Sequence, residues 1–239
     1  MKLTYKYYLN PNHKQKAIIN ELIFHVTKLY NIVNFDMRKN SYANYYDNDK
    51  KYKSNWHCDY LHAHNRQQLF RKLDEDWKSY FKSIKSFKKN PSKFTGKPRP
   101  PKYKKVNKRP GEVIFTKPAI SQSYNEKKNP KQDHLILSLH KNIQEKFKVK
   151  SLNLKLNKKV LKLINSLEDI NQVTIKKDSL ERYYLNIVFK KEAKQLKKDH
   201  KNIMAIDLGL DNLATLSFLK NKETYILDGK ELKSKRKYF

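Results

Sequence analysis

The chain has 239 residues, enough for one large domain or two small ones, and 38% hydrophobic residues are sufficient for a core. Its 54 Lys and Arg stand against 23 acids for a formal charge of +31, a balance that repels itself unless a polyanion neutralises it. No apolar run is long enough to cross a membrane, the first residues alternate rather than forming a signal-peptide core, and the single cysteine excludes an intrachain disulfide.

Nucleic acid is therefore the first expected partner and the inside of a cell the expected location. The 16 Tyr and 11 Phe interleaved with lysines agree, because unpaired bases need stacking surfaces as well as charge. Codon bias in an AT-rich genome accounts for a share of the lysines, but not for the scarcity of acids.

Leu3 to Leu9 alternate apolar and polar, which predicts an opening strand. Asn12 with Gln15 three residues on reads as a capping box, and Ile18, Leu22, Val26, Leu29 and Val33 then set a buried helical stripe. The polar stretch from Asn40 to Asn55 reads as a loop or a weak helix extension. In "HCDYLHAH", Cys58 and His62 would share a helical face at i, i+4 and could pair on a metal, although a polar helix start is the favoured reading. Leu69, Leu73, Trp77, Tyr80, Ile84 and Phe87 predict a second long helix able to pack on the first.

Lys82 to Arg109 holds twelve basic residues among 28 and no acid, and it ends in "TGKPRPPKYKK", where the prolines keep the backbone extended. Such a strap can lie along a phosphate backbone. Lys97, Arg99, Lys102, Lys104 and Lys105 are the candidate phosphate contacts and Tyr103 a candidate stacking residue; a plain linker is the alternative. Beyond Gly111 the period becomes two in "VIFT", "HLILSLH" and "KSLNLKL", with a short helix in "VLKLINSL" and a hairpin from Gln172 to Lys190 turning at Asp178 and Ser179. The charged linker "KKEAKQLKKDHK" places a boundary near residue 197.

"NIMAID" then reads as a strand ending in Asp207, "LGLDN" as a turn, and "LATLSF" and "ETYILDG" as two more strands. This order, with an acid closing the first strand, is how an RNase H-like sheet begins. An Asp before a glycine turn is also a common turn former, so Asp207 alone decides nothing.

Taken together, "LNPNHKQ", "DEDWKSYFKSIK", "GKPRPPKYKK", "LILSLH", "RYYLNIVF", "IMAIDLGLDNLATLS" and "ILDGKELKS" resemble, in order and spacing, the TnpB (OrfB) proteins of insertion sequences. These are RNA-guided nucleases related to type V CRISPR effectors, and the resemblance runs over essentially the whole chain. It implies an α+β fold with three parts. Residues 1–10 and 111–197 would form a wedge-type β-barrel, 11–110 an inserted helical recognition lobe carrying the basic strap, and 198–239 the first part of a RuvC-like nuclease domain.

The resemblance further implies guide RNA on the barrel and RuvC surface, with the helical lobe facing the guide and a DNA target. Asp207 would be the first of three RuvC acids. The second acid, the four-cysteine zinc ribbon and the third acid do not follow in this sequence, and Asp211 is too close to Asp207 to replace them. The expectation is a chain that does not cleave DNA alone, with Mg2+ only where the site is completed and no zinc in this chain. A C-terminal nuclease fragment is a candidate partner; one half of a split enzyme, or a guide-independent basic RNA- or DNA-binding module, are the alternatives. The outer edge of Ile203–Asp207 should stand without a strand partner.

Overall fold

The computed structural model describes residues 2–121, 134–163, 169–191, 203–209, 212–230 and 234. The chain divides into two compact units, Met1–Glu192 and Ala193–Phe239. It is a mixed α and β protein with open antiparallel sheets, and none of its described helices is long and apolar enough to cross a membrane.

In the first unit, β1 (Lys2–Leu9) leads into α1 (His13–Lys39). Asn12 Oδ1 accepts from Gln15 N and Gln15 Oε1 from Asn12 N, each at 2.9 Å, so two of the helix's orphan N-terminal donors are satisfied reciprocally. Ile18, Leu22, Val26, Leu29 and Val33 are buried as the spacing requires. The stretch read as a loop or a weak helix extension contains a separate helix, α2 (Tyr45–Tyr52), started by Asn44, whose side chain accepts from Tyr46 N and Asp47 N.

A 3-10 turn over Trp56–Tyr60 precedes α3 (Ala63–Lys89). Leu69, Phe70, Leu73 and Trp77 form the buried stripe of α3, which packs on α1, α2 and the sheet. Burying each such side chain contributes about 1.5–3 kcal/mol relative to exposure. The helix runs seven residues past the Lys82 at which the strap was expected to begin. Ile84 and Phe87 keep its period going, and Asn90 with Pro91 ends it.

The remainder of the unit is β-rich. The strands β2 (Val113–Thr116), β3 (Ile120–Ser121), β4 (His134–Ser138), β5 (Ser151–Lys155), β6 (Ile170–Lys177) and β7 (Tyr183–Lys190) are joined by the short helices α4 (Lys141–Phe147) and α5 (Lys158–Leu163). The first sheet has the order β1-β7-β6-β2 and the second β3-β4-β5, all antiparallel. Val113, Phe115, Val173, Ile175, Leu185, Ile187 and Phe189 fill the inner face of the first sheet, while Leu135, Leu137, Leu152 and Leu154 do so in the second. The opening strand is thus paired with a segment almost the whole unit away in sequence, Tyr5 lying opposite Ile187. Among the described residues the two sheets share no ladder, so the expected barrel is not closed by hydrogen bonds there.

In the second unit, β8 (Met204–Asp207), β9 (Asn212–Phe218) and β10 (Thr224–Asp228) form an antiparallel sheet of order β10-β9-β8. Among the described residues, strand β8 pairs with β9. The linker from 192 to 202 and Asp211 lie outside the described residues.

Candidate nucleic-acid interface

The basic strap is fastened to α1 by a ladder of polar side chains. Thr27, Asn31, Asn34 and Arg38, spaced four, three and four apart, occupy one face of α1 beside the apolar stripe. Thr27 Oγ1 donates to Ile23 O at 2.6 Å and accepts from Gly111 N at 2.8 Å. Asn31 makes a two-way contact with Lys104, donating to its carbonyl and accepting from its N–H, both at 2.8 Å. Asn34, fully buried, donates to Pro101 O at 2.9 Å and accepts from the Trp77 indole N–H at 3.0 Å. Arg38 donates to the carbonyls of Pro100 and Pro101.

Prolines make this arrangement necessary, because a proline-rich segment has few N–H groups with which to form a ladder of its own. Its carbonyls are instead satisfied by α1. Gly111 closes the ladder where the backbone approaches most tightly: a Cβ there would lie 2.7 Å from Val26 Cγ1. The segment does not stay extended to its end, since Lys105 and Arg109 exchange backbone hydrogen bonds of 3.0 and 2.8 Å around a tight turn.

Held this way, the strap faces α3 across a groove of about 860 Å³. Arg99, Lys102, Lys104, Lys105, Lys108 and Arg109 line one side, and Asp76, Ser79, Tyr80 and Ser83 of α3 the other, with Tyr30 and Ser179 completing it. Asp76 is the one carboxylate of this lining among the described residues, and it is engaged twice. It accepts from the Tyr30 hydroxyl at 3.0 Å and pairs with Lys72 at 3.4 Å. Burial and this carboxylate together push the Tyr30 phenol well above its ordinary range. Lys104 Nζ sits 5.1 Å from the Tyr30 ring and the Arg38 guanidinium 4.6 Å from the Tyr103 ring, so cations and aromatics alternate along the groove.

Of the six sequence candidates, Arg99, Lys102, Tyr103, Lys104 and Lys105 meet in this groove, whereas Lys97 is exposed on the strap outside the lining. Lys108 and Arg109 were not singled out by the sequence, because their basic run continues through a turn that brings them back. The α3 wall lies within "DEDWKSYFKSIK", which the sequence offered as a resemblance and a helical stripe but not as a binding surface.

The histidine-rich segment builds something else. Leu61 is extended, so the backbone breaks between Cys58 and His62 and the two do not share a helical face. His62 is the N-cap of α3, accepting from His64 N. Cys58 is buried, donates to Tyr52 O at 3.1 Å, and burial pushes its thiol up to about 11. His57 turns the other way and lies Nδ1 to Nδ1, 2.9 Å from the buried His25, whose ring stacks on Tyr60. Burial holds both imidazoles below their ordinary range, His57 at about 4.

In the second unit Asp207 is exposed at the end of β8, opposite Thr215. No group of three His, Cys, Asp or Glu side chains that could hold a metal ion occurs among the described residues.

No protein-family model matches the chain, and no curated protein sequence does. Among solved structures it is similar to a CRISPR-Cas12f ternary complex, at 14% identity and a TM-score of 0.47 over 93% of this chain and 50% of that one. It is also similar to a Cas12f1–sgRNA–target DNA complex, at 12% identity and a TM-score of 0.41 over 100% of this chain and 59% of that one. The chain thus spans about half the length of these two proteins.

Proposed function

We propose that this chain is a nucleic-acid-binding protein of the RNA-guided effector type, in which the groove between the strap and α3 receives the sugar–phosphate backbone of a guide RNA or of its duplex with target DNA. The observation that carries this reading is the side-chain ladder from α1. It fixes a proline-rich backbone so that six cations line one side of a groove, instead of leaving them on a solvated linker. A flexible run of the same charge would bind polyanions, but would lose its ordering entropy each time. Tyr103, backed by Arg38, offers a ring to an unpaired base.

In this reading the two sheets of the first unit correspond to the wedge-type barrel, α1 to α3 to the recognition lobe, and the second unit to the start of a RuvC-like domain. Asp207 is then the first acid of a nuclease site that needs carboxylates from a C-terminal nuclease segment or fragment, and Mg2+ belongs to that completed site. Two-metal chemistry requires cations about 4 Å apart, more than one carboxylate holds. A transposon origin and an intracellular location follow from the same reading.

The test is to express the chain, purify it under moderate salt and sequence the RNA that accompanies it. One discrete RNA species, from the vicinity of its own gene, is expected. A mixture mirroring total cellular RNA would refute guide binding and favour a guide-independent basic module.

A further inference from the structure

On the outer face of the first sheet, remote in sequence from the strap, β1 and β7 place Tyr8 directly opposite Tyr184. The ring centroids are 4.8 Å apart with the planes tilted by 39°, and Tyr8 is 64% exposed. An exposed tyrosine on a strand is unremarkable; one whose neighbours are all fixed is less so. The Tyr184 hydroxyl donates to Asp178 Oδ2 at 2.7 Å, and the same oxygen accepts from Arg182 Nε at 2.7 Å. Asp178 Oδ1 accepts from the N–H groups of Leu180 and Arg182, each at 2.9 Å. One turn carboxylate therefore locks the lower ring and the neighbouring guanidinium together, with Glu181 held in the left-handed region at φ 59°.

Cations surround the pair. Lys6 Nζ lies 4.3 Å from the Tyr184 ring centre and the Arg182 guanidinium 5.7 Å from that of Tyr8. Both nearby carboxylates are already engaged, Asp178 with Arg182 and Glu181 with Lys177 at 2.8 Å. A groove of about 280 Å³ runs beside the ledge, lined by Tyr8, Asn10, Pro11, Lys16, Arg182 and the Lys177-paired Glu181 among others.

We propose that the Tyr8–Tyr184 ledge is a stacking platform for one unpaired base of an RNA strand, with Lys16 and Arg182 meeting the adjoining phosphates in the groove. The platform rests on the nucleic-acid-binding reading above, and names a second place where the strand is held. Stacking needs an open aromatic face and sequence-independent cations beside it, and both are present here. A protein partner would instead call for a broader apolar surface than one ring pair rimmed by charge.

The experiment uses the full chain and two fluorescent probes, a single-stranded RNA carrying one 2-aminopurine and a blunt RNA duplex of equal length. Tyr8→Ala should weaken the single strand roughly 5- to 150-fold, the range for one stacked base, while duplex affinity stays within about twofold. Wild type should quench the 2-aminopurine and Tyr8→Trp should keep both affinity and quenching. Tyr8→Leu, which preserves apolar cover over Tyr184, should bind single strand as poorly as Tyr8→Ala. Equal affinity of Tyr8→Leu and wild type would overturn stacking and point to an apolar docking contact. Undiminished binding by Tyr8→Ala, alongside a loss of binding when strap residues are replaced, would overturn the platform and leave the groove reading intact. A wild-type chain that binds neither probe would overturn both.

Discussion

Asn34→Ala tests the physical basis of the groove. Asn34 is fully buried and has two partners on different segments, the Trp77 indole N–H at 3.0 Å and the Pro101 carbonyl at 2.9 Å. Truncation leaves the indole N–H buried without an acceptor, which costs about 1–3 kcal/mol. The Pro101 carbonyl keeps its bond from Arg38, so its share is nearer 1 kcal/mol. A total of about 2–4 kcal/mol corresponds to a fall in Tm of roughly 4–16 °C for a chain of this size. Half of the damage is local, however, and should release the strap before the core melts. Lys97 and Arg99 each precede proline and resist trypsin, so cutting reports on Lys102, Lys104 and Lys105. At a temperature well below the transition, tryptic cleavage there should accelerate about tenfold, as each 1.4 kcal/mol shifts the opened population tenfold. A variant with an unchanged Tm and an unchanged cleavage rate would show that Asn34 does not hold the strap.

Gly111→Ala forces a methyl group to 2.7 Å from Val26 Cγ1 and 3.3 Å from Thr27 N, so urea denaturation should show a loss of about 1–3 kcal/mol; an unaltered midpoint would contradict the close approach. Because burial lowers His57 to about 4 from its ordinary 6.5, the unfolded chain binds the extra proton first, and stability present above pH 6.5 is lost as pH falls toward 4. His25, lowered in the same direction, adds to this, and a His57→Phe variant should show a shallower decline in Tm between those pH values than wild type, whereas parallel curves would refute the assignment. Asp207→Asn should leave RNA and DNA affinity within about twofold, measured by anisotropy, since the side chain is exposed at the end of β8 in the second unit; DNA cleavage by the 239-residue chain that this substitution abolishes would contradict the proposal that the metal site needs further ligands.

Much of the scaffold is legible in the sequence, for identifiable reasons. The capping box of Asn12 and Gln15 and the stripe from Ile18 to Val33 are local signals, and local signals survive folding unchanged. The hairpin of β6 and β7 is equally local, since its turn carries Asp178, a residue able to cap its own backbone. Helix α2 was harder to see because "YYDNDKKY" is short and nearly all polar, and its one strong signal is the cap at Asn44. The ladder from Thr27 to Arg38 is hidden more deeply. At positions of polar character on a long helix, these residues read as a solvated face, and only tertiary structure shows that prolines 62 and 67 residues away need their donors. The contact between His25 and His57 is likewise invisible to any spacing rule. Within the site, the cations from Arg99 to Lys105 could be named from charge and proline content, but Lys97 could not be told apart from them, because a linear run does not disclose which side faces the groove.

The central claim is that the strap's cations act together on a phosphate backbone, and the salt dependence of binding measures this most directly. Four groove residues, Arg99, Lys102, Lys105 and Lys108, are replaced by Ala in the full chain, and log Kd for a single-stranded RNA is followed against log salt concentration. Each lost phosphate contact should flatten the slope by about 0.7, so four should reduce it by about 2.8. Between 50 and 200 mM salt the wild type should then lose roughly 50-fold more affinity than the variant. A companion Lys97→Ala variant, altered outside the groove, should keep nearly the wild-type slope. Equal slopes for wild type and the four-residue variant would contradict the claim and return the strap to the status of a solvated linker.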